Sequence, residues 1–147
     1  MKLPGFPEKL SEFLNTRRQV PHRWGTNDCV TFTADGVLAV TGYDFLAVWR
    51  STTQWTNEEG ASWHTATWTN EEEANAALAN SGGLIAGMDS HYVRVEPAMA
   101  QRGDACLVKD GNGLPSLALV VGSHAAAPGP DGTLLTPMNE ARIAWRT

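Results

Sequence analysis

The sequence is poor in the residues that build disulfide frameworks, metal clusters and membrane spans. It contains 2 cysteines and 4 histidines in 147 residues. Cys29 and Cys106 lie far apart in the chain, which makes a poor disulfide framework, and two cysteines alone cannot complete a zinc site. Apolar runs such as Leu117 to Val121 are far shorter than the roughly 20 residues that cross a bilayer. We therefore expect no metal, no cofactor and no membrane span.

Basic residues are also scarce, and they form no cluster in the sequence. Lys and Arg number 11 against 16 Asp and Glu, for a net charge of −5. Arg17 and Arg18 form the only adjacent basic pair. Proteins that bind nucleic acid usually carry a basic patch or stripe, so we expect no nucleic-acid partner. Residues Met1 to Leu10 lack the apolar run of a signal peptide, and we expect the chain to mature in the reducing cytoplasm.

What the sequence does contain is typical of one globular domain covering residues 1–147. Apolar residues make up 42% and charged residues 18%, an ordinary balance for a folded protein. The length is enough to bury a core. The 6 tryptophans are many for this length, and they indicate either core anchors or a contact surface. They are Trp24, Trp49, Trp55, Trp63, Trp68 and Trp145.

Hydrophobic periodicity predicts helices first and strands afterwards. A short helix is expected over Pro7 to Gln19, and a second over about Asp28 to Val40, with Gly42 as its stop. Extended segments with turn residues between them follow in the second half. The pattern predicts an α+β fold in which N-terminal helices pack on a small antiparallel sheet formed by the C-terminal half. The predicted strands are Tyr92 to Val95, Ala105 to Lys109, Ser116 to Val121, Thr133 to Thr136 and Ile143 to Arg146.

A short segment is duplicated in the middle of the chain. Trp-Thr-Asn-Glu-Glu begins at Trp55 and again at Trp68. The offset is too short for a solenoid repeat, so we interpret it as a local duplication that lengthens one loop, residues 51–70. The second copy predicts a helix with Asn70 as its N-cap. The first copy is compatible with a helical turn at Asn57.

Cys29 is the most informative single position. It is expected in the first turn of the second helix, where free backbone N–H groups and the helix dipole stabilise a thiolate. The competing interpretation is an ordinary buried cysteine on the apolar stripe of that helix. Asp28 also has two interpretations, as the helix cap, which is the commoner role, or as a group that orients a catalytic partner.

Four short motifs occur in a characteristic order. Together they resemble the NlpC-like branch of papain-fold cell-wall peptidases and, more narrowly, a family of short phage and prophage tail proteins. The resemblance runs from about Pro21 to the C-terminus, apart from the duplicated segment. It implies an NlpC-like papain fold with Cys29 at the nucleophile position. The motifs are Arg23 to Cys29 (RWGTNDC), Ala39 to Asp44 (AVTGYD), Gln101 to Asp104 (QRGD) and Ala144 to Arg146 (AWR).

The sequence departs from that family at the catalytic base. The resemblance implies a histidine at the start of the strand after the hairpin, and this position falls at or next to Ser116. Serine cannot act as the general base that a cysteine nucleophile needs. His91 precedes the sheet and is the remaining candidate base, although nothing in its spacing brings it to Cys29. The cysteine is therefore either vestigial or served by an unusual base.

Three functions follow as hypotheses, and the missing histidine favours the first. The chain is a structural part of a phage tail tip or baseplate, carried in the virion and contacting other tail proteins such as hub and distal tail proteins. Alternatively, Cys29 cleaves stem peptides of peptidoglycan during DNA delivery, with His91 as base. In the third, a groove beside Trp24, Asp28 and Ser116 binds wall peptide without cleaving it.

Overall fold

A computed structural model describes residues 1–147 and contains four α-helices and two antiparallel sheets. The α+β prediction is confirmed at this level. The helices are α1 (Phe6–Arg17), α2 (Cys29–Thr41), α3 (Glu71–Ala79) and α4 (Leu84–His91). The strands are β1 (Arg50–Thr56), β2 (Ser62–Ala66), β3 (Val93–Val95), β4 (Ala105–Lys109), β5 (Pro115–Val120), β6 (His124–Gly129), β7 (Gly132–Pro137) and β8 (Ile143–Arg146).

The larger sheet is built from the C-terminal half, as predicted. Its six strands lie in the order β3-β8-β4-β5-β6-β7, with every neighbouring pair antiparallel. β4 and β5 form a hairpin in which Leu107 pairs with Leu117. The backbone N–H of Asp110 donates to the carbonyl of Leu114 at 2.8 Å and closes the turn. β5 therefore lies inside the sheet, which explains its apolar sequence.

The core lies between this sheet and the first two helices. α2 packs on β5 and α1 packs on α2. The approach of α2 is close, because a Cβ at Gly36 would collide with the side chain of Leu119. Phe32, Leu117 and Trp145 are fully buried in this layer.

Smaller side chains cover the opposite face of the sheet. Cys106, Ala118 and Ala144 belong to a separate buried cluster there, whereas Cys29 packs against the helical side. Both cysteines are free thiols.

Residues 51–70 do not form the loop that the sequence predicts. They contain the hairpin of β1 and β2, in which Trp55 pairs with Trp63. Asn57 lies in the hairpin turn rather than in a helical turn, and its backbone N–H donates to the carbonyl of Ala61 at 2.9 Å. The second copy behaves as predicted, since Asn70 caps α3 by accepting from the Glu73 N–H at 2.8 Å.

Two further elements differ from the prediction. α4 begins after Gly83, which has a positive φ of 104° and no side-chain cap. β6 runs through His124–Gly129 and pairs with both β5 and β7. The sequence of α4 has weak helix propensity and no side-chain cap, and β6 contains Ala and Pro, which are poor strand formers. Packing against the rest of the fold therefore determines both elements. No helix in the fold has the length and apolarity to cross a membrane.

Candidate functional site

Cys29 is the first residue of α2, and Asp28 caps the helix immediately before it. One carboxylate oxygen of Asp28, Oδ1, accepts from the backbone N–H of Val30 at 3.0 Å and of Thr31 at 2.8 Å. The Thr31 hydroxyl accepts in turn from the Asp28 N–H at 2.8 Å, which completes a capping box. The cap fixes where the helix starts and therefore where the thiol lies.

The second oxygen of Asp28 binds the chain on the other side. Oδ2 accepts from the Gly25 N–H at 2.8 Å and from the indole N–H of Trp68 at 2.7 Å. A Cβ at Gly25 would collide with the carbonyl oxygen of Trp68, and the φ of Gly25 is +76°. Asp28 is therefore a buried structural acceptor with both oxygens engaged, and it does not orient a histidine.

Ser116 lies beside Cys29. The hydroxyl of Ser116 and the backbone N–H of Leu117 both lie where they stabilise the charged form of the Cys29 thiol. Ser116 is the second residue of β5, the strand that packs on α2. Ser116 and Cys29 are thus neighbouring side chains, and the Ser116 hydroxyl also donates to the carbonyl of Leu117.

The thiol of Cys29 is not activated. Burial and, to a smaller extent, the negative charge of Asp28 raise the pKa of Cys29 to about 11. The Leu117 N–H and the Ser116 hydroxyl lower this pKa, but their effect is smaller than that of burial. The raised pKa favours the interpretation of Cys29 as an ordinary core cysteine over that of a stabilised thiolate, with desolvation as the largest cause. The thiol is protonated at neutral pH.

His91 does not reach Cys29. It ends α4, and its Nδ1 lies 2.8 Å from the hydroxyl oxygen of Tyr43. Tyr43 follows the C-terminal end of α2, whereas Cys29 begins that helix. Since α2 has 13 residues, its two ends are separated by roughly 20 Å. His91 lines a cavity together with Val30, the residue after Cys29, but its ring nitrogen is engaged with Tyr43 and makes no hydrogen bond to the thiol.

The other histidines are also engaged away from the thiol. His22 packs edge-on against Trp24 with ring centroids 4.7 Å apart. His64 contacts the side chain of Gln54, and His124 contacts Ser123. None of these contacts involves Cys29.

Cys29 is half-buried and Ser116 is buried. Neither residue lines any of the five principal cavities of the protein. Trp24, the aromatic candidate for a binding surface, is half-buried and lines a cavity with Thr53 and Trp55 of the hairpin. No group of three or more His, Cys, Asp and Glu side chains has an arrangement that could hold a metal ion.

A buried ionic cluster joins the hairpin to the helices, and sequence reasoning missed it. Arg17 of α1 and Arg50 of β1 both form ion pairs with Asp35 of α2. Arg50 also binds Asp44, with its Nε 3.0 Å from the carboxylate. The only signal in the sequence is the charge of Asp35 inside an otherwise apolar helix.

Asp104, from the Gln101 to Asp104 motif, has a structural role. Its Oδ2 accepts from the Gln101 N–H at 2.8 Å and thereby closes a turn before β4. The same fully buried carboxylate binds Lys2 at 2.6 Å and Arg146 at 3.0 Å. It therefore ties the N-terminal and C-terminal segments to the centre of the sheet.

Comparison with known proteins places the chain in a family but attaches no activity to it. No curated protein matches the sequence. The sequence profile of a family described as a domain of unknown function (DUF6950) matches residues 1–147. The match covers the entire chain, and the protein therefore belongs to the DUF6950 family.

Proposed function

We propose that this protein is a structural component of a phage tail tip or baseplate, built on an NlpC-like papain fold whose peptidase site is inactive. The observation that carries the proposal is the contact between Cys29 and Ser116. The order of the motifs supports the relationship to NlpC-like tail proteins, and in the proposed fold Ser116 occupies the position at which those peptidases need a base.

A peptidase mechanism at this site lacks its proton acceptor. A cysteine nucleophile needs a base within hydrogen-bond reach, and a serine hydroxyl is too weakly basic to take the thiol proton. With the pKa of Cys29 raised to about 11, the thiol does not ionise by itself at neutral pH. The alternative, cleavage of peptidoglycan stem peptides by Cys29, would require His91 to leave Tyr43 and move to the thiol.

The edges of the main sheet are suited to contact with neighbouring proteins. β7 and β3 are the edge strands. Leu134 and Leu135 on β7 are 58% and 59% exposed, and Val93 on β3 is 78% exposed. Edge strands carry unpaired backbone groups, and apolar side chains on them favour pairing with another chain. In the proposed assembly these edges meet other tail proteins, with hub and distal tail proteins as the expected partners.

Complementation of a gene deletion separates the structural role from the enzymatic one. The gene is deleted from its source genome, particles are purified, and wild-type or Cys29→Ala protein is supplied from a plasmid. We expect deletion to abolish intact tails in electron micrographs, and Cys29→Ala to restore both tails and infectivity. Intact tails without the gene would contradict the structural role. Cys29→Ala particles that assemble but do not infect would favour the peptidase.

A further inference from the structure

A groove unrelated to Cys29 lies along the hairpin. Trp55 of β1 is shared by two cavities, which together we call the hairpin groove. One cavity, of about 240 Å³, lies between the C-terminal end of α1 and the tip of the hairpin. The other, of about 250 Å³, lies between residues 23–26 and the two hairpin strands. Trp55 is half-buried and lines both cavities.

The position of this indole is fixed by its neighbours. The rings of Trp55 and Trp63 have centroids 5.0 Å apart. Trp63 is itself held, since its indole N–H donates to the carbonyl of Thr26 at 2.9 Å and its face carries the guanidinium of Arg17 at 3.6 Å. A rigid aromatic surface loses little conformational entropy when a ligand packs on it.

Polar side chains surround the indole on both sides. Apart from Trp55, the first cavity is lined mainly by amide and carboxylate side chains, and the second by hydroxyls and an amide. Most of these side chains are exposed to solvent, although the amide of Gln54 contacts His64 and the hydroxyl of Thr65 donates to the carbonyl of Thr53. The first set includes Asn15, Gln19, Glu58 and Glu59. The second includes Thr53, Gln54 and Thr65.

The charges of the hairpin groove cancel. Arg18 in the first cavity and Arg23 in the second are balanced by Glu58 and Glu59. An anionic or cationic ligand therefore meets no excess of opposite charge. The chemistry is that of a neutral, hydroxyl-rich ligand with an apolar ring face.

We propose that the hairpin groove binds a neutral oligosaccharide. The C–H face of one sugar ring packs on the indole of Trp55, where many weak dispersion contacts accumulate. Its hydroxyls bond to the amides and carboxylates of the cavity walls, which donate and accept as a hydroxyl requires. Because Trp55 lines both cavities, an oligosaccharide stacked on it has space for further sugar units in each of them.

The two copies of the duplicated segment differ in a way that supports this assignment. Trp68, in the second copy, is 2% exposed and donates its indole N–H to Asp28. Trp55, in the first copy, retains an accessible face on two cavities and has no such bond. The second tryptophan is part of the core, and the first is free to contact a ligand.

The test is titration of the full-length protein with chitotetraose, cellotetraose and maltotetraose, followed by calorimetry and tryptophan fluorescence. We expect saturable binding of at least one of them. Trp55→Ala should weaken it by on the order of tenfold or more, as loss of a central aromatic contact does. Trp55→Phe should weaken it less, because a smaller aromatic face remains.

A second pair of variants guards against a simple folding defect. Glu58 lines the groove, and Glu71 is the equivalent residue of the second copy, exposed on α3 outside the groove. Glu58→Ala should weaken binding several-fold at an unchanged melting temperature, and Glu71→Ala should leave it unchanged. Cys29→Ala should also bind the sugars normally, so the result of this test does not depend on whether Cys29 is catalytically active. Absence of binding to all three sugars, or binding that survives both Trp55→Ala and Glu58→Ala, would overturn the proposal.

Discussion

The guanidinium of Arg17 lies over the indole of Trp63, with its central carbon 3.6 Å from the ring centroid. Arg17 is 2% exposed, pairs with Asp35 and donates from Nη1 to the side chain of Asn27 at 3.0 Å. One side chain thus connects α1, α2, the loop before α2 and the hairpin. The hairpin is therefore an integral part of the domain and not a loose insertion.

Removal of the Trp63 ring should destabilise the whole domain. Trp63→Ala loses the cation–π contact, the hydrogen bond to Thr26 and the packing of a half-buried ring, for which we expect a loss of about 2–4 kcal/mol in the free energy of unfolding. Urea denaturation measures it. Trp63→Phe keeps a ring beneath Arg17 and should lose roughly half as much. If Trp63→Ala lowers the free energy of unfolding by less than about 1 kcal/mol, contacts other than those of Trp63 hold the hairpin to the domain.

Removal of the helix caps Asp28 and Asn70 should lower the free energy of unfolding by different amounts. Asp28→Ala removes an N-cap and leaves the buried donors of Gly25 and Trp68 without an acceptor, so we expect a loss of about 3–5 kcal/mol. Asn70→Ala removes the exposed cap of α3 and should cost about 1 kcal/mol. Denaturation of the two variants side by side measures the difference. Equal losses would show that the second carboxylate oxygen of Asp28 contributes nothing.

Asp89 should titrate at unusually low pH. Its hydrogen bonds from Arg94 and from the indole of Trp145 lower the pKa of Asp89 to about 2. The pKa of Asp89 in the folded state lies below its value in the unfolded state, which is about 4. The ionised carboxylate therefore stabilises the folded state at pH values above about 4. This stabilisation is lost as the pH falls towards about 2.

NMR titration of the Asp89 carboxyl carbon tests this directly. We expect a midpoint near 2 in the wild type. Arg94→Ala should raise the midpoint towards the ordinary value, since it removes the larger cause of the shift. Arg102→Ala, which removes another exposed arginine, should leave it unchanged. A wild-type midpoint at the ordinary value would show that the hydrogen bonds from Arg94 and Trp145 do not persist in solution.

Elements with strong local signals could be predicted from the sequence. The apolar stripe of α2, with Asp28 before it and Gly42 after it, fixes both ends of the helix within one residue. β4 and the turn after Lys109 agree with the prediction because alternation of turn and apolar residues is a local property.

The remaining elements depend on contacts that are distant in sequence. The hairpin of β1 and β2 is rich in Thr and Ser and lacks an apolar stripe, so its strands are fixed by pairs such as Trp63 with Arg17 and Arg50 with Asp35. β6 begins at His124 and continues through three alanines, and only its position between two other strands makes it extended. Such pairings have no signature within the segment itself.

The candidate site also depends partly on local sequence signals and partly on contacts between distant segments. The resemblance aligns Ser116 with the position of a histidine base, which stays a prediction, and in the structure the hydroxyl of Ser116 lies near the thiol of Cys29. The titration of the thiol was not predictable, because the rule that a helix N-terminus lowers a cysteine pKa is local. Burial against β5 is a tertiary property, and here it has the larger effect.

The rate of Cys29 alkylation as a function of pH tests the central claim most directly. The protein is treated with iodoacetamide, the modified cysteine is assigned by mass spectrometry, and Cys29→Ala serves as the control. Because the pKa of Cys29 is raised to about 11, the rate should rise about tenfold per pH unit from pH 7 to 10 without reaching a plateau. A rate that is already constant well below the free-thiol pKa of about 8.5 would reveal an activated thiolate and contradict an inactive site.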